Sequence, residues 1–442
     1  MVCVISVNFL FLFIAGICFL GFIVNALFDK LRITNILPLM IIGLIVGPIL
    51  GIINTSPGST FSSLAPLVGA IAISFVLFEA GLNINIFRLS KVIVKATKFT
   101  FVVEIITGIL ISLGIYLALR WSIVEALIAG FALAGPSSVA VPTLVKLVDA
   151  PPEIKTSLMY EGVATDSLSL IVPLFLFSVL AGATISPSAL ATDLLIVIVG
   201  SIVLGVVLAV LWLYTLNKFR RFIRMYSWML TISIVLATYG LSEVFGLSGA
   251  LTIFAFGLAF SNIGNNAMSF KNASRPKAAG SSAAAILEGA AGEIIKKYLS
   301  IPNINYIKNY QREIAFFTST FFFVYIGMIF SISAFTILPV VIAILLTAII
   351  VLLRAIFIPI IGGFIPKDQP RNTLIKRVIS FDVARGFSPA VIATVAISMG
   401  IVIPGFADLM FLVIFVTNLV MSIGIFASYK SRPRSSLPVA IA

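Results

Sequence analysis

The sequence predicts an all-α polytopic membrane protein of about thirteen transmembrane helices, and three observations predict it. Of 442 residues, 60% are hydrophobic and only 10% are charged, whereas a soluble domain carries roughly 25% charge. The apolar residues also fall in runs of about 20, the length a helix needs to cross the hydrocarbon core, almost end to end along the chain. Finally, Lys and Arg sort onto alternate connections between these runs, as cytoplasmic loops require.

The runs lie near 8–27, 35–53, 64–82, 98–119, 122–147, 156–181, 188–216, 227–244, 247–262, 313–334, 336–361, 377–400 and 404–428. The first has no basic stretch before it and is too long for the apolar part of a signal peptide, so it reads as an uncleaved helix. Of the 29 Lys and Arg, all but Arg120, Arg354 and Arg385 lie on alternate connections, from 28–34 to the tail. This sorting supports the count. It places the N-terminus outside and the C-terminus in the cytoplasm of a multi-pass cell (plasma) membrane protein. The net charge of +13 is then topological: lipid bilayer is the expected partner, and nucleic acid is not. Cys3 and Cys18 form no disulfide framework or metal-ligand spacing, and no cofactor is expected.

The domain organisation follows from the spans. Residues 1–262 carry helices one to nine, with 98–181 forming half of an ion-binding core bundle; 313–428 carry helices ten to thirteen and the second half. Between them, 263–312 is an Ala/Gly/Ser-rich, basic cytoplasmic connecting segment, and 429–442 is a cytoplasmic tail.

An ionisable residue at a helix centre costs ~2.5–3.5 kcal/mol on insertion scales, so each needs a partner or a function. The sixth span enters from the cytoplasm, and at ~1.5 Å per residue Glu161 lies about 9 Å and Asp166 about 16 Å deep. Their spacing turns the two carboxylates ~140° apart around the helix, which gives them different tasks. Gly162 and Ser169 share a face with Asp166 and leave room and a hydroxyl oxygen for a small cation. Glu161, on a face with Thr165, needs a buried cation; Arg354 lies at matching depth, so a structural Glu161–Arg354 salt bridge is expected. The competing reading of Asp166 is a packing carboxylate bonded to hydroxyls or to Arg385. Glu79 and Glu104 read as interfacial residues near helix ends, and Asp382 as a local ion-pair partner of Arg385, three residues on.

The fifth span contains FALAGPSSVAVPTL and the twelfth FDVARGFSPAVIAT, each with Gly, Pro and Ser at mid-membrane where an unbroken helix avoids them. Unwinding at Gly135-Pro136-Ser137-Ser138 and at Gly386-Phe387-Ser388-Pro389 frees backbone carbonyls for a cation and exposes half-helix ends. Arg385 supplies part of the dipole compensation. The two spans run in opposite directions, seven apart, as two six-helix repeats of inverted topology with broken crossing helices require. A single Pro-containing helix is as readily a packing kink; a matched pair points to a transport site.

The segments LFEAGLNI (77–84), 135–141, EGVATD (161–166), REIAFFTSTFFFVYIGM (312–328) and ARGFSPAVIAT (384–394) carry a resemblance over nearly the whole chain. It resembles the NhaP-type sodium/proton antiporters of the monovalent cation:proton antiporter superfamily. The resemblance implies a secondary active antiporter of pH homeostasis, not an enzyme, that exchanges Na⁺ for H⁺ and works as a homodimer. Asp166 alternately holds Na⁺ or a proton beside Thr165 and the crossing at Pro136, Ser137 and Ser138, and Glu161 pairs with Arg354. Three positions depart from the family pattern: Thr165 stands for the usual Asn, Pro136-Ser137-Ser138 for Thr-Asp-Pro, and Gly162 for Ser. Family members that move net charge carry two adjacent aspartates, which Thr165 precludes, so electroneutral one-for-one exchange by alternating access is expected.

The serine-rich crossing also looks like potassium-efflux relatives, so Li⁺ and K⁺ stand beside Na⁺, with K⁺/H⁺ efflux as an alternative. A second alternative is a proton-coupled anion or organic-acid carrier that uses Arg354 and Arg385 as clamps. A channel would need a continuous pore, and an intramembrane protease lacks a Ser/His or paired-Asp constellation. The chain has no histidine, so any pH dependence near neutrality comes from carboxylates or from competition at the site.

Overall fold

The computed structural model describes residues 7–31, 34–51, 60–141, 144–145, 151–180, 187–218, 220–272, 304–330, 335–361, 372–399 and 401–430. Among the described residues the regular structure is helical throughout. In chain order the helices are α1 (Val7–Leu31), α2 (Ile36–Leu44), α3 (Thr60–Ser63), α4 (Ala65–Asn83), α5 (Ile86–Leu119), α6 (Ile123–Ala132), α7 (Pro152–Leu180) and α8 (Pro187–Lys218). They continue as α9 (Arg220–Val244), α10 (Gly249–Asn272), α11 (Ile304–Ile329), α12 (Ile337–Ile361), α13 (Asn372–Ser380), α14 (Phe387–Ser398) and α15 (Phe406–Lys430). Seven are long and apolar enough to cross a membrane, and six shorter apolar helices fall on the remaining spans read from the sequence. The chain is a multi-pass membrane protein.

Several boundaries move. α5 is one helix of 34 residues rather than a span starting at 98, because Lys91, Lys95 and Lys98 interrupt hydropathy without interrupting the helix; long basic side chains reach past apolar surface. The second span continues beyond α2 as a π-helical stretch, Ile45–Ile49, containing Pro48, which the extra residue per turn accommodates. α10 runs on to Asn272 and α11 starts at Ile304, so most of the 263–312 connection, 273–303, lies outside the described residues, as do Cys3 and the tail from 431.

The chain divides into two compact units, residues 1–69, 92–183 and 320–442, and residues 70–91 and 184–319. In the second unit α8 packs closely on α10, with α9 against both. The Asn262 amide donates to the carbonyls of Ile84 and Leu258 and accepts from the Ile86 N–H, each at 2.8 Å, and so ties down the α4–α5 connection. The outer face of α8 exposes Leu195, Val203, Val207 and Leu211, an apolar stripe stable only against lipid or another apolar surface.

In the first unit α14 packs against α6, α7 and α15. α6 begins with a capping box, in which Ser122 accepts from the Glu125 N–H and Glu125 from the Ser122 N–H, satisfying two orphan donors. It ends at Ala132, and the chain then runs non-helically through Gly135, Pro136 and Ser137. The second break falls one turn earlier than expected. Residues 382–386 are non-helical and Phe387 starts α14. Ser388 and Pro389 sit in its first turn, where a missing N–H is no loss. Phe387 stacks on Phe322 and packs against Phe323, with centroids 4.6 and 5.0 Å away.

Candidate functional site

The two unwound stretches meet. Ser137 N–H donates to the Ala384 carbonyl at 2.9 Å, and a Cβ on Gly386 would stand 2.2 Å from Ser137 Oγ. Only glycine permits that approach. Gly386→Ala is therefore expected to destabilise the protein by ~1–3 kcal/mol, the usual penalty of overpacking, read as a lowered unfolding temperature in detergent; an unshifted temperature would refute the close crossing.

Asp166, on α7, faces this crossing and is 3% exposed. Its Oδ2 accepts the Ser138 N–H at 2.8 Å and its Oδ1 accepts the Ser388 hydroxyl at 2.5 Å. One donor comes from each broken span, and both are neutral; no ion pair forms at Asp166 among the described residues. The Ser138 hydroxyl, also buried, has no hydrogen-bond partner there. Thr165 places its Oγ1 within 3.0 Å of the Pro136 carbonyl and 2.9 Å of the Glu161 carbonyl, pinning the first break to α7. Gly162 lets the backbone of Ser138 come close, 3.2 Å from where its Cβ would be. Ser169 turns elsewhere: its hydroxyl donates to Glu104 Oε1 at 2.7 Å.

Arg385 is buried behind the crossing. Its Nε and Nη2 donate to the carbonyls of Leu133 and Ala134, both at 2.7 Å, and Nη1 to that of Val383 at 3.2 Å. These are the carbonyls left open where α6 ends, the negative pole of a helix. Its own backbone is held by α15: Arg385 N–H donates to Thr417 Oγ1 at 3.1 Å and the Asn418 amide donates to the Arg385 carbonyl at 2.7 Å.

A separate ionic cluster lies on the other face of α7. Arg354 grips Glu161 with both terminal nitrogens, at 2.6 and 3.1 Å, and reaches Asp382 Oδ2 at 3.0 Å, while its Nε donates to the Ile379 carbonyl at 3.0 Å. Asp382 thus pairs with Arg354, not with Arg385 as expected. The three-residue neighbour relation holds on a helix, and 382–386 are not helical.

Sequence reasoning also misplaced or passed over four side chains. Glu104 is no interfacial residue; it is 2% exposed in the middle of α5. Ser388 bonds Asp166 directly, although its spacing suggested only a helix break. Thr417 and Asn418 were visible as two adjacent polar residues in the otherwise apolar run FLVIFVTNLVMSI.

No curated protein matches the chain. Among the solved structures that do, two align over nearly its whole length. One is the sodium proton antiporter MjNhaP1 from Methanocaldococcus jannaschii at pH 8, with a TM-score of 0.68 and 19% identity, covering 95% of this chain and 96% of that one. The other, from an electron-microscopy map of the same antiporter, has a TM-score of 0.68 and 20% identity, with coverage of 98% and 100%. They share the fold. Residues 10–429 match the sodium/hydrogen exchanger transmembrane family: the chain belongs to the sodium/hydrogen exchangers and is a membrane antiporter whose substrates are cations and protons.

Proposed function

We propose that this protein exchanges one monovalent cation, Na⁺ first among them, for one proton across the cell membrane, by alternating access with both ions competing for Asp166. The observation that carries this reading is the isolation of the Asp166 charge. A carboxylate buried from water and bonded only to neutral donors keeps a full negative charge that the low-dielectric interior penalises by several kcal/mol unless a counter-charge arrives. A proton or a monovalent cation supplies that charge, and the carbonyl of Pro136 and the hydroxyls of Ser137 and Ser138 lie at the same crossing to complete a shell of oxygens. With one such carboxylate the loaded site has the same net charge in both states, so exchange is electroneutral. MjNhaP1, of the same fold, is a sodium proton antiporter, which supports Na⁺ as cargo.

Both arginines argue against the anion-carrier reading, since Arg354 is committed to two carboxylates and Arg385 to three carbonyls. K⁺ remains the second reading because the crossing carries serine oxygens and no second carboxylate. The cytoplasmic C-terminus and a homodimer complete the proposal; the distribution of basic residues supports the first, and the family resemblance the second.

The test is exchange by the purified protein in lipid vesicles with an internal pH dye. A pulse of Na⁺ is expected to dissipate a preset proton gradient, to the same extent with the voltage clamped, and comparison with Li⁺ and K⁺ names the cargo. If none of the three moves protons, the reading fails. Competition adds a second expectation. Where the site is protonated, lowering the pH by one unit raises the apparent KM for the cation about tenfold by mass action, leaving the maximal rate at saturating cation unchanged. A KM that ignores pH would separate proton and cation sites.

A further inference from the structure

Among the described residues the buried charged side chains are Glu104, Glu161, Asp166, Asp382, Arg354 and Arg385, all in the first unit. With four carboxyls against two guanidiniums, full ionisation would leave the cluster two charges short of neutrality in a medium where each uncompensated ion is heavily penalised. Cargo at Asp166 supplies one positive charge. The other has to be resident.

Geometry singles out its carrier. Glu161 and Asp382 both take N–H bonds from Arg354 and are held as anions. Glu104 forms no ion pair among the described residues; the charged groups that act on it are Arg385, Asp166 and Glu161, and Arg385 has committed its donors to backbone carbonyls. Its one hydrogen bond is with Ser169, at Oε1, and Oε2 is buried without a partner. An ionised carboxylate accepts at both oxygens, whereas a protonated one keeps one donor and fewer acceptor sites to fill. Oε2 also faces the first break: it lies 2.7 Å from where a Cβ on Gly135 would be, and Thr165 Oγ1 lies 2.7 Å from the same point. Glu104 Oε2 and Thr165 Oγ1 thus both close on Gly135, the glycine of the first break.

We propose that Glu104 is a neutral carboxylic acid holding a resident proton, a positioning residue that brings the buried cluster to zero net charge whichever cargo Asp166 carries. The role deepens the one-carboxylate exchange proposed above and rests on it for its transport consequence, while the protonation state itself is measured without turnover.

The test is the infrared spectrum of the full-length protein in lipid vesicles at neutral pH, read in the region of the protonated-carboxyl C=O stretch. A band is expected that disappears in Glu104→Gln, persists in Asp166→Asn, and persists in wild type when Na⁺ is raised to saturation. If Glu104→Gln removes no band, Glu104 is ionised and the proposal is overturned. If saturating Na⁺ removes the band that Glu104→Gln removes, the proton travels with the cargo, and the resident role is equally overturned. Should Glu104→Gln fail to fold, Ser169→Ala decides: it keeps the acid and deletes its hydrogen-bond partner, so the band shifts in frequency if the proton is on Glu104, and a spectrum identical to wild type rejects it. Failure of cation-driven proton movement in vesicles would sink the exchange reading without touching this band.

Discussion

Asp166→Asn is expected to abolish exchange, lowering the rate at least about a hundredfold at every pH, as removal of a group that acts only through its charge should, and at the same time to leave the protein as stable as wild type or more so. The two outcomes come from one cause. The amide is close in shape to the carboxylate, its Oδ1 still accepts the Ser138 N–H, and its Nδ2 can donate to the Ser388 oxygen, so the crossing keeps its hydrogen bonds. What disappears is a buried charge without a cationic partner, whose desolvation destabilises the empty site by several kcal/mol. Transport and thermal unfolding should therefore move in opposite directions. The measurement is vesicle exchange with Na⁺, Li⁺ and K⁺ alongside an unfolding curve in the same detergent. A variant that unfolds well below wild type would make Asp166 a packing residue, and one that still exchanges would move the ion site elsewhere.

How far this site can be read from sequence depends on what each residue's partner is. Asp166, Glu161 and Arg354 are legible because a charge in an apolar run is anomalous by itself, and helical rise and rotation give its depth and direction before any neighbour is known. The break in span five is legible for a similar reason, since Gly135-Pro136 cannot continue a helix. Spacing stops informing once the backbone leaves the helix. Asp382 and Arg385 look like neighbours only if 382–386 are helical; in the unwound chain one turns to Arg354 and the other to the end of α6. Glu104 was hidden by its own helix, because three lysines in α5's first turns make the apolar run appear to start at 98. Ser388, Thr417 and Asn418 join the site through contacts 222, 32 and 33 residues away in sequence, and no local pattern encodes such a pairing.

The second large effect belongs to Arg354, and the order of four variants tests the ionic cluster more sharply than any one of them. Arg354→Leu strips both Glu161 and Asp382 of their counter-charge in a site where all three side chains are nearly inaccessible; it is expected to destabilise by about 3–5 kcal/mol, the range for breaking a buried pair from one side. Glu161→Gln should cost clearly less. Arg354 then still faces Asp382, the cluster changes from one net negative charge to none, and Gln Oε1 can still accept one of the guanidinium's N–H bonds. A double variant, Arg354→Leu with Glu161→Leu, should recover part of the single loss but not all, because Asp382 is left buried and unpaired; adding Asp382→Asn should recover more. Unfolding temperatures of the four proteins in one detergent give the ranking. If Glu161→Gln proves as damaging as Arg354→Leu, Asp382 contributes nothing to holding the arginine, and its non-helical segment is anchored instead by the Arg385 contacts on α15 and α6. If the double variant is no better than Arg354→Leu alone, the penalty is lost packing rather than uncompensated charge, and the cluster's role is shape. The expected order ties the second broken span to α7 and α12 through a shared arginine, which fixes the Asp382 end of the unwound stretch while Ser388, just past its other end, bonds Asp166.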